Sequence, residues 1–258
     1  MDLHLKDKVV IVTGGAGGIG SGISRVFASE GAHVIVTYLH NAEPARQHAL
    51  ALAEEFGIKA SALQCDSADE DAVSALFDYA TVEFGPVDVL VNNAGNTNVT
   101  IPFIDIDLQS WNEQIHDNLT GHFVMSREFA RRAMAEQRPG WIVNVLSKAS
   151  VSSVTYGRAT YVANKAGEMG LTRAMAVDLT RHNIRVNGVM PGFVMNRKIS
   201  REREHDPAAF QRRVDRSPLG RIGEPEEIGR MVAFLASDQC GLAVGSCVDV
   251  TGGLLLGY

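Results

Sequence analysis

Val9-Val10-Ile11-Val12-Thr13 runs directly into Gly14-Gly15-Ala16-Gly17-Gly18-Ile19-Gly20. A short β-branched run of this kind reads as a strand buried on both faces. The glycines make a tight turn, and the stretch from about Gly18 to Ser29 reads as a helix that stops near Gly31. Glycine tolerates φ > 0 and lets a backbone approach a phosphate closely. A helix start adds free N–H groups and partial positive charge. Gly15, Gly17 and Gly20 also satisfy G-x-G-x-x-G, a weak signal alone that gains weight from the strand before it and the helix after it. The expected ligand is the diphosphate of a dinucleotide, held around Gly14, Gly15, Gly18, Ile19 and Gly20.

Working outward, strand-length apolar runs alternate with helix-length amphipathic ones. Strands are expected at His33–Thr37, Ala60–Gln64, Val87–Val91, Trp141–Leu146, Ile184–Val189 and Ser246–Val250. Helices are expected at Ala42–Phe56, Asp69–Phe84, Leu108–Glu136 with Ser110 as its cap, Tyr156–His182 and Glu226–Ala236. This alternation predicts an α/β fold: a doubly wound parallel sheet of the Rossmann type, about seven strands, with helices on both faces. No linker, repeat or low-complexity tract interrupts it, so residues 1–258 read as one domain.

Composition narrows the function. A net charge of −6 and a pI of about 5.7 argue against nucleic-acid binding by bulk charge. No run of 18 apolar residues predicts a membrane span, and the N-terminus lacks a signal-peptide layout. Cys65, Cys240 and Cys247 have no C-x-x-C spacing and read as thiols of a reducing compartment. A soluble, cytoplasmic protein without a catalytic metal is expected, and the Asn-x-Thr triplets at Asn98 and Asn118 then stay unglycosylated.

Tyr161-Val162-Ala163-Asn164-Lys165 carries the chemistry. Tyr161 is the one tyrosine of five with a lysine four residues on, one turn along the same helical face. A phenol's pKa near ~10 falls beside an ammonium, which makes Tyr161 a candidate acid/base near neutral pH. At the end of the second strand, where a carboxylate often bonds the ribose 2′-OH of NAD, Tyr38 stands instead, and no carboxylate follows before Glu43. NADP is therefore expected over NAD, with Arg25, His40 and Arg46 as candidate partners for its 2′-phosphate. Asp66, followed by Ser67, is placed to bond the adenine amino group or to serve as an ordinary turn aspartate.

The glycine turn and Tyr-x-x-x-Lys together resemble the short-chain dehydrogenase/reductase family over essentially the whole chain. Further motifs agree: Asn92-Asn93-Ala94-Gly95, Asn118, the strand Ile142–Leu146 leading to Ser147, Pro191-Gly192, and Arg221-Ile222-Gly223-Glu224-Pro225. The resemblance implies a secondary alcohol–ketone oxidoreductase like 3-oxoacyl carrier-protein reductases or glucose 1-dehydrogenases. Tyr161 would be the acid/base, Lys165 would depress its pKa and hold the nicotinamide ribose, and Ser147 would polarise the carbonyl. Asn118 would interrupt its helix and fix a water linking Lys165 to solvent. Asn93, Ala94, Gly95, Pro191, Gly192 and Val194 would line the cofactor. A homotetramer paired through the two long helices is implied as well.

The chain also departs from the pattern. Ser147 lies fourteen residues before Tyr161, one more than expected, so Ser150, Ser152 and Ser153 compete for its role. Lys148 stands where a small or apolar residue is usual, Asn196 replaces a threonine beside the nicotinamide amide, and Thr251 replaces an aspartate before Gly252-Gly253. Residues 196–217 form the expected substrate lid, with seven basic against four acidic residues. They either draw in an anionic substrate or carrier, or form a solvated flap. Arg138 matches one carrier-docking position and His182 replaces an arginine at the other. Asn96, Thr97, Asn98 and Arg158 would line a polar pocket or satisfy loop backbone, and His116 and His122 read as helix-surface or interface residues. The rival function is a catalytically silent dinucleotide sensor or scaffold on the same fold.

Overall fold

The computed structural model describes residues 1–95, 100–152 and 156–256. Its centre is a seven-stranded sheet in the order β3-β2-β1-β4-β5-β6-β7, with all adjacent strands parallel. The strands are β1 Val9–Val12, β2 His33–Tyr38, β3 Ala60–Gln64, β4 Val89–Asn92, β5 Gly140–Val145, β6 Ile184–Pro191 and β7 Cys247–Val250. The order reverses between β1 and β4, and ligands of such sheets bind outside the strands' carboxyl ends at that switch.

The helices are α1 Gly18–Ser29, α2 Ala42–Phe56, α3 Glu70–Glu83, α4 Leu108–Ile115, α5 Gly121–Ala135, α6 Ala159–Leu179, α7 Arg197–His205, α8 Pro207–Asp215 and α9 Pro225–Leu235. They cover both faces of the sheet, which explains why β1 does not alternate in polarity. Val10 and Val12 pack with Ile23, Phe27 and Val232 on one face. Val9 and Ile11 pack with Phe77 and Phe129 on the other. α1 and α9 approach to backbone contact: a Cβ on Gly22 would meet the Pro225 carbonyl carbon at 2.3 Å, and one on Gly229 would meet Gly22 O at 2.7 Å.

Several expected element boundaries shift, and those nearest the site have identifiable causes. The helix expected over Leu108–Glu136 is two helices joined by a wider π turn, His116–Thr120, with Asn118 in it. Its cap is Asp107, whose carboxylate accepts from Ser110 N at 2.7 Å, so Ser110 is the capped residue and not the cap. The helix expected from Tyr156 begins at Ala159, because Gly157 sits at φ +70°, outside helical space. Asp69 caps α3 by accepting from Asp71 N at 2.9 Å and Ala72 N at 3.0 Å.

Candidate active site

The glycine turn is shaped by contacts that exclude side chains. Gly14 and Gly18 have φ of +62° and +48°. A Cβ on Gly20 would lie 2.3 Å from Gly14 O, and one on Gly15 would lie 2.7 Å from Val36 Cγ1. Gly17 is different: it has φ −130°, and a Cβ there would meet nothing within 4 Å. Protein sterics and backbone conformation therefore require glycine at 14, 15, 18 and 20, and make no such demand at Gly17.

Asn93 fastens this turn to β4. Its Nδ2 donates to Thr13 O at 2.9 Å and Gly14 O at 3.3 Å, while Asn93 N and Ala94 N both donate to Thr13 Oγ1 at 2.9 Å. α1 then starts without a side-chain cap and without an acidic residue in its first turn. Its first N–H groups and dipole are left for an anion, so the turn fits a dinucleotide diphosphate.

At the carboxyl ends of β5 and β6 lies a cavity of about 680 Å³. Gly18 and Ile19 reach it from the glycine turn, Ser147 and Ser152 from beyond β5, Tyr161 from α6, and Pro191, Gly192 and Val194 from beyond β6. Ser147 Oγ accepts from Ala149 N at 3.1 Å at the start of a short 3₁₀ turn. Ser150 is buried and outside this lining; Ser153 lies outside the described residues. Gly192 is required where it stands, since a Cβ there would meet Thr251 O at 2.3 Å.

Lys165 and Asn118 are buried at 4% and 0% exposure. Lys165 Nζ donates to Val145 O at 2.9 Å and to Glu168 Oε2 at 2.7 Å. Two of its three N–H donors are thus engaged by protein. Asn118 Nδ2 donates to Gln114 O at 2.8 Å, and Asn164 Nδ2 donates to the same carbonyl at 3.0 Å. Asn118 Oδ1 is buried without a partner and faces Gly95, where an added Cβ would approach it to 2.7 Å.

Other expected residues fall differently. Arg25 is paired with Glu55 through both guanidinium nitrogens and lies over Phe56, which removes it as a free 2′-phosphate partner. His40 and Arg46 are exposed, and Tyr38 ends β2 half-buried. Asp66 Oδ1 accepts from Ala68 N at 2.9 Å, so one carboxylate oxygen already makes a turn beside Ser67. Asn196 caps α7, its Oδ1 accepting from Lys198 N and Ile199 N at 3.0 Å each. Arg138 donates to Val87 O at 2.6 Å and pairs with Glu136, so it ties strand ends together instead of standing free to dock a carrier.

His116 is exposed as expected, 3.9 Å from Asp66. His122 is not on the surface: it is 2% exposed, its Nε2 lies 3.1 Å from Ala94 O, and burial pushes its pKa down. Cys65 is buried, and burial together with Asp66 and Asp69 pushes its thiol up to about 12, which leaves it unreactive. Asn96, Thr97 and Asn98 lie outside the described residues. Among the described residues no cluster has the make-up of a metal site, and no helix is long and apolar enough to cross a membrane.

One polar side chain at the site escaped the sequence reading, and another, Arg158, reads there as a pocket or loop residue. Glu168 follows Lys165 by three residues on one helical face, a spacing that was legible. Arg158 lies with its guanidinium 4.6 Å from the Tyr161 ring centroid, over the face of the phenol.

Similarity to known proteins agrees with this geometry. The profile of a family described as enoyl-(acyl carrier protein) reductase matches residues 14–255. The 3beta-hydroxysteroid dehydrogenase 1 of Eggerthella lenta is 37% identical over 98% of this chain and 95% of its own. The cis-4-hydroxycyclohexanecarboxylate dehydrogenase of Sinomonas cyclohexanicum is 37% identical over 96% of each chain. The L-sorbose reductase of Gluconobacter frateurii, solved with NADPH and L-sorbose, superposes with a TM-score of 0.92 at 26% identity over 100% of both chains. These relatives are redox enzymes, which favours catalysis over the silent sensor. The chain belongs to the short-chain dehydrogenase/reductase family and is an NAD(P)-dependent oxidoreductase acting on CH–OH groups.

Proposed function

We propose that this enzyme interconverts a secondary alcohol and a ketone that carry an anionic group, using NADP in preference to NAD, with Tyr161 as acid/base. One observation carries the reading: Ser147 and Tyr161 open onto the same cavity as Gly18, Ile19 and the Pro191–Val194 segment. When bound there, the cofactor exchanges a hydride with the carbinol carbon. Tyr161 takes the hydroxyl proton during oxidation and returns it during reduction. Ser147 donates a hydrogen bond to the substrate oxygen as charge builds on it. Lys165 supplies positive charge one turn behind Tyr161, and Asn118 holds the widened helix turn beside it. Gly14, Gly15, Gly18, Ile19 and Gly20 cradle the diphosphate, while Asn93, Ala94, Gly95, Pro191, Gly192 and Val194 line the rest of the cofactor. Asp66 and Ser67 flank the adenine, and Tyr38, with no carboxylate beside it, accepts the 2′-phosphate end.

The anionic preference follows from the wall of the cavity. Lys148, Arg158, Arg197, Lys198 and Arg213 line it, Arg213 being itself paired with Glu202 at 2.8 Å, and no carboxylate lines it among the described residues. A low-dielectric cleft walled by one sign of charge concentrates ligands of the other. The Sinomonas relative, by its name, acts on a carboxylate of this kind. Residues 196–217 serve as the lid that brings part of this charge. Exposed Leu108, Phe123 and Val177 on α4, α5 and α6 support pairing into a homotetramer. Three unpaired cysteines support a cytoplasmic setting.

The test is Tyr161→Phe. Turnover should disappear while NADPH still binds in a fluorescence titration, and NADPH should bind more tightly than NADH. Retained turnover refutes the role of Tyr161, and a tighter NADH complex refutes the cofactor preference.

A further inference from the structure

The side chain that holds Lys165 is itself part of a buried charged cluster. Glu168 is 1% exposed, and its Oε2 accepts from Lys165 Nζ at 2.7 Å. On its other side, from α5, His122 Nδ1 lies 3.6 Å from the same oxygen. His122 Nε2 lies 3.1 Å from Ala94 O. A carbonyl only accepts, so Nε2 carries the proton of the neutral ring and Nδ1 turns a lone pair toward the carboxylate. Neither His122 Nδ1 nor Glu168 Oε1 has a hydrogen-bond partner.

Packing alone is a poor account of this cluster. Burying charged and titratable groups is costly, and apolar residues of similar volume often serve equally well. The surrounding polar network instead holds Glu168 in place. Thr172 Oγ1 donates to Glu168 O at 2.7 Å, Asn144 Nδ2 donates to Thr172 Oγ1 at 2.8 Å, and Asn92 Nδ2 donates to Asn144 Oδ1 at 2.8 Å. The α6 backbone at Glu168 is therefore fixed relative to β4 and β5, the strands whose ends frame the cavity, and the carboxylate itself is held by Lys165.

We propose that Glu168 is a positioning residue that holds and aims Lys165, and that His122 modulates it from behind. The inference rests on the roles given above to Lys165 and Tyr161. Val145 O and Glu168 anchor two of the three ammonium N–H groups, which leaves one without a protein acceptor. The ionisable groups around the carboxylate are Lys165 on its own helix, with Tyr161 one turn before it, and His122 from α5. From β4 and β5 come the carbonyls of Ala94 and Val145 and the side-chain amides of Asn92 and Asn144. Burial keeps His122 neutral near neutral pH, against the attraction of Glu168. On acidification it gains a proton, and Glu168 is then shared between two cations.

The decisive variant is Glu168→Gln, which keeps shape and removes charge. Without the carboxylate, the buried ammonium loses the contact that aims it and supports Tyr161 less. With the fastest alcohol from a panel of cyclic secondary alcohols, the midpoint of the pH–rate profile for oxidation should rise by about one unit, and kcat at pH 7 should fall about tenfold. Glu168→Asp should restore part of both. In the cofactor-free protein, the NMR titration of the His122 ring should move to lower pH in Glu168→Gln, because an attraction is lost. A merely structural role would lower the melting temperature and leave the pH–rate midpoint alone. A profile that stays put or moves down overturns the proposal. Should Glu168→Gln fail to fold, His122→Gln decides, and a profile identical to the parent's overturns it. Turnover surviving in Tyr161→Phe would overturn the underlying reading instead, so the two failures are distinguishable.

Discussion

Adding one methyl group at each of three neighbouring glycines should produce three different outcomes. At Gly20 the new Cβ would sit 2.3 Å from Gly14 O and 2.6 Å from Asn93 Nδ2. That is about 1 Å or more inside ordinary contact, and the nearest atom is backbone that cannot swing aside. Overpacking of this kind costs about 1–3 kcal/mol. Displacing Asn93 also loosens its bonds to Thr13 O and Gly14 O, at roughly 1 kcal/mol each. Gly20→Ala should therefore cost about 2–5 kcal/mol, divided between folding and cofactor binding. At Gly18 space is adequate, with Asn196 Cβ at 3.8 Å, but φ is +48°. Gly18→Ala should cost roughly 1–2 kcal/mol in backbone strain alone. At Gly17 the backbone is extended and the space open, so Gly17→Ala should fall within about 0.5 kcal/mol of the parent. Thermal melts and NADPH titrations measure both parts. For a chain of this length each kcal/mol moves the melting point by about 2–4 °C, and each 1.4 kcal/mol spent on binding weakens it about tenfold. If Gly17→Ala were as damaging as Gly20→Ala, or if Gly20→Ala bound and melted like the parent, the steric account of the turn would be refuted.

Three further outcomes are expected. Ser147→Ala should lower kcat by about 10²–10³ with little change in cofactor binding, as loss of one donor to a developing oxyanion does, while Ser152→Ala should cost less than about tenfold; the reverse order in steady-state kinetics would give Ser152 the role. Arg158→Leu should erase a preference for cis-4-hydroxycyclohexanecarboxylate over its methyl ester, measured as a ratio of kcat/KM, because it removes a cation from the wall beside Tyr161; an unchanged ratio would remove Arg158 from substrate recognition. His48 has its pKa pushed down by burial and then by Arg25, so below about 6.5 the unfolded chain binds its proton more readily than the folded one, and stability falls as pH drops from there toward the folded value. Urea melts at pH 7.5 and 5.5 should show the parent losing more stability than His48→Gln; an equal loss would mean that His48 does not contribute.

The parallel sheet was legible because its signals are local. Val9–Val12 is β-branched throughout since both of its faces are covered, and a glycine-dense turn before a helix has few alternative readings. What the sequence blurred were interruptions that depend on neighbours. Leu108–Glu136 keeps helical composition through its whole length, yet the chain widens at His116–Thr120. There the amides of Asn118 and Asn164 converge on Gln114 O. One of those amides comes from α6, some fifty residues downstream, so no local window contains the cause. Gly157 displaced the start of α6 for a local reason, but its need for φ +70° comes from the turn it closes and not from its own type.

The same distinction governs the site. Tyr161 and Ser147 could be placed because each sits at a position set by its own element: a helical face, or the end of a buried strand. Asn93 could be placed too, although its work, holding the glycine turn through Thr13 and Gly14, depends on β1 and β4 being neighbours. Lys165 shows the limit. Its spacing from Tyr161 is written in the chain, but which way its ammonium turns is decided by Val145 O and Glu168. Glu168 is in turn bracketed by His122 from α5, which the sequence reading puts on a helix surface or at an interface. Charge at such a site is a property of the packing between α5, α6 and β5, and a motif that names only the tyrosine and the lysine leaves out the carboxylate that makes burying the lysine tolerable.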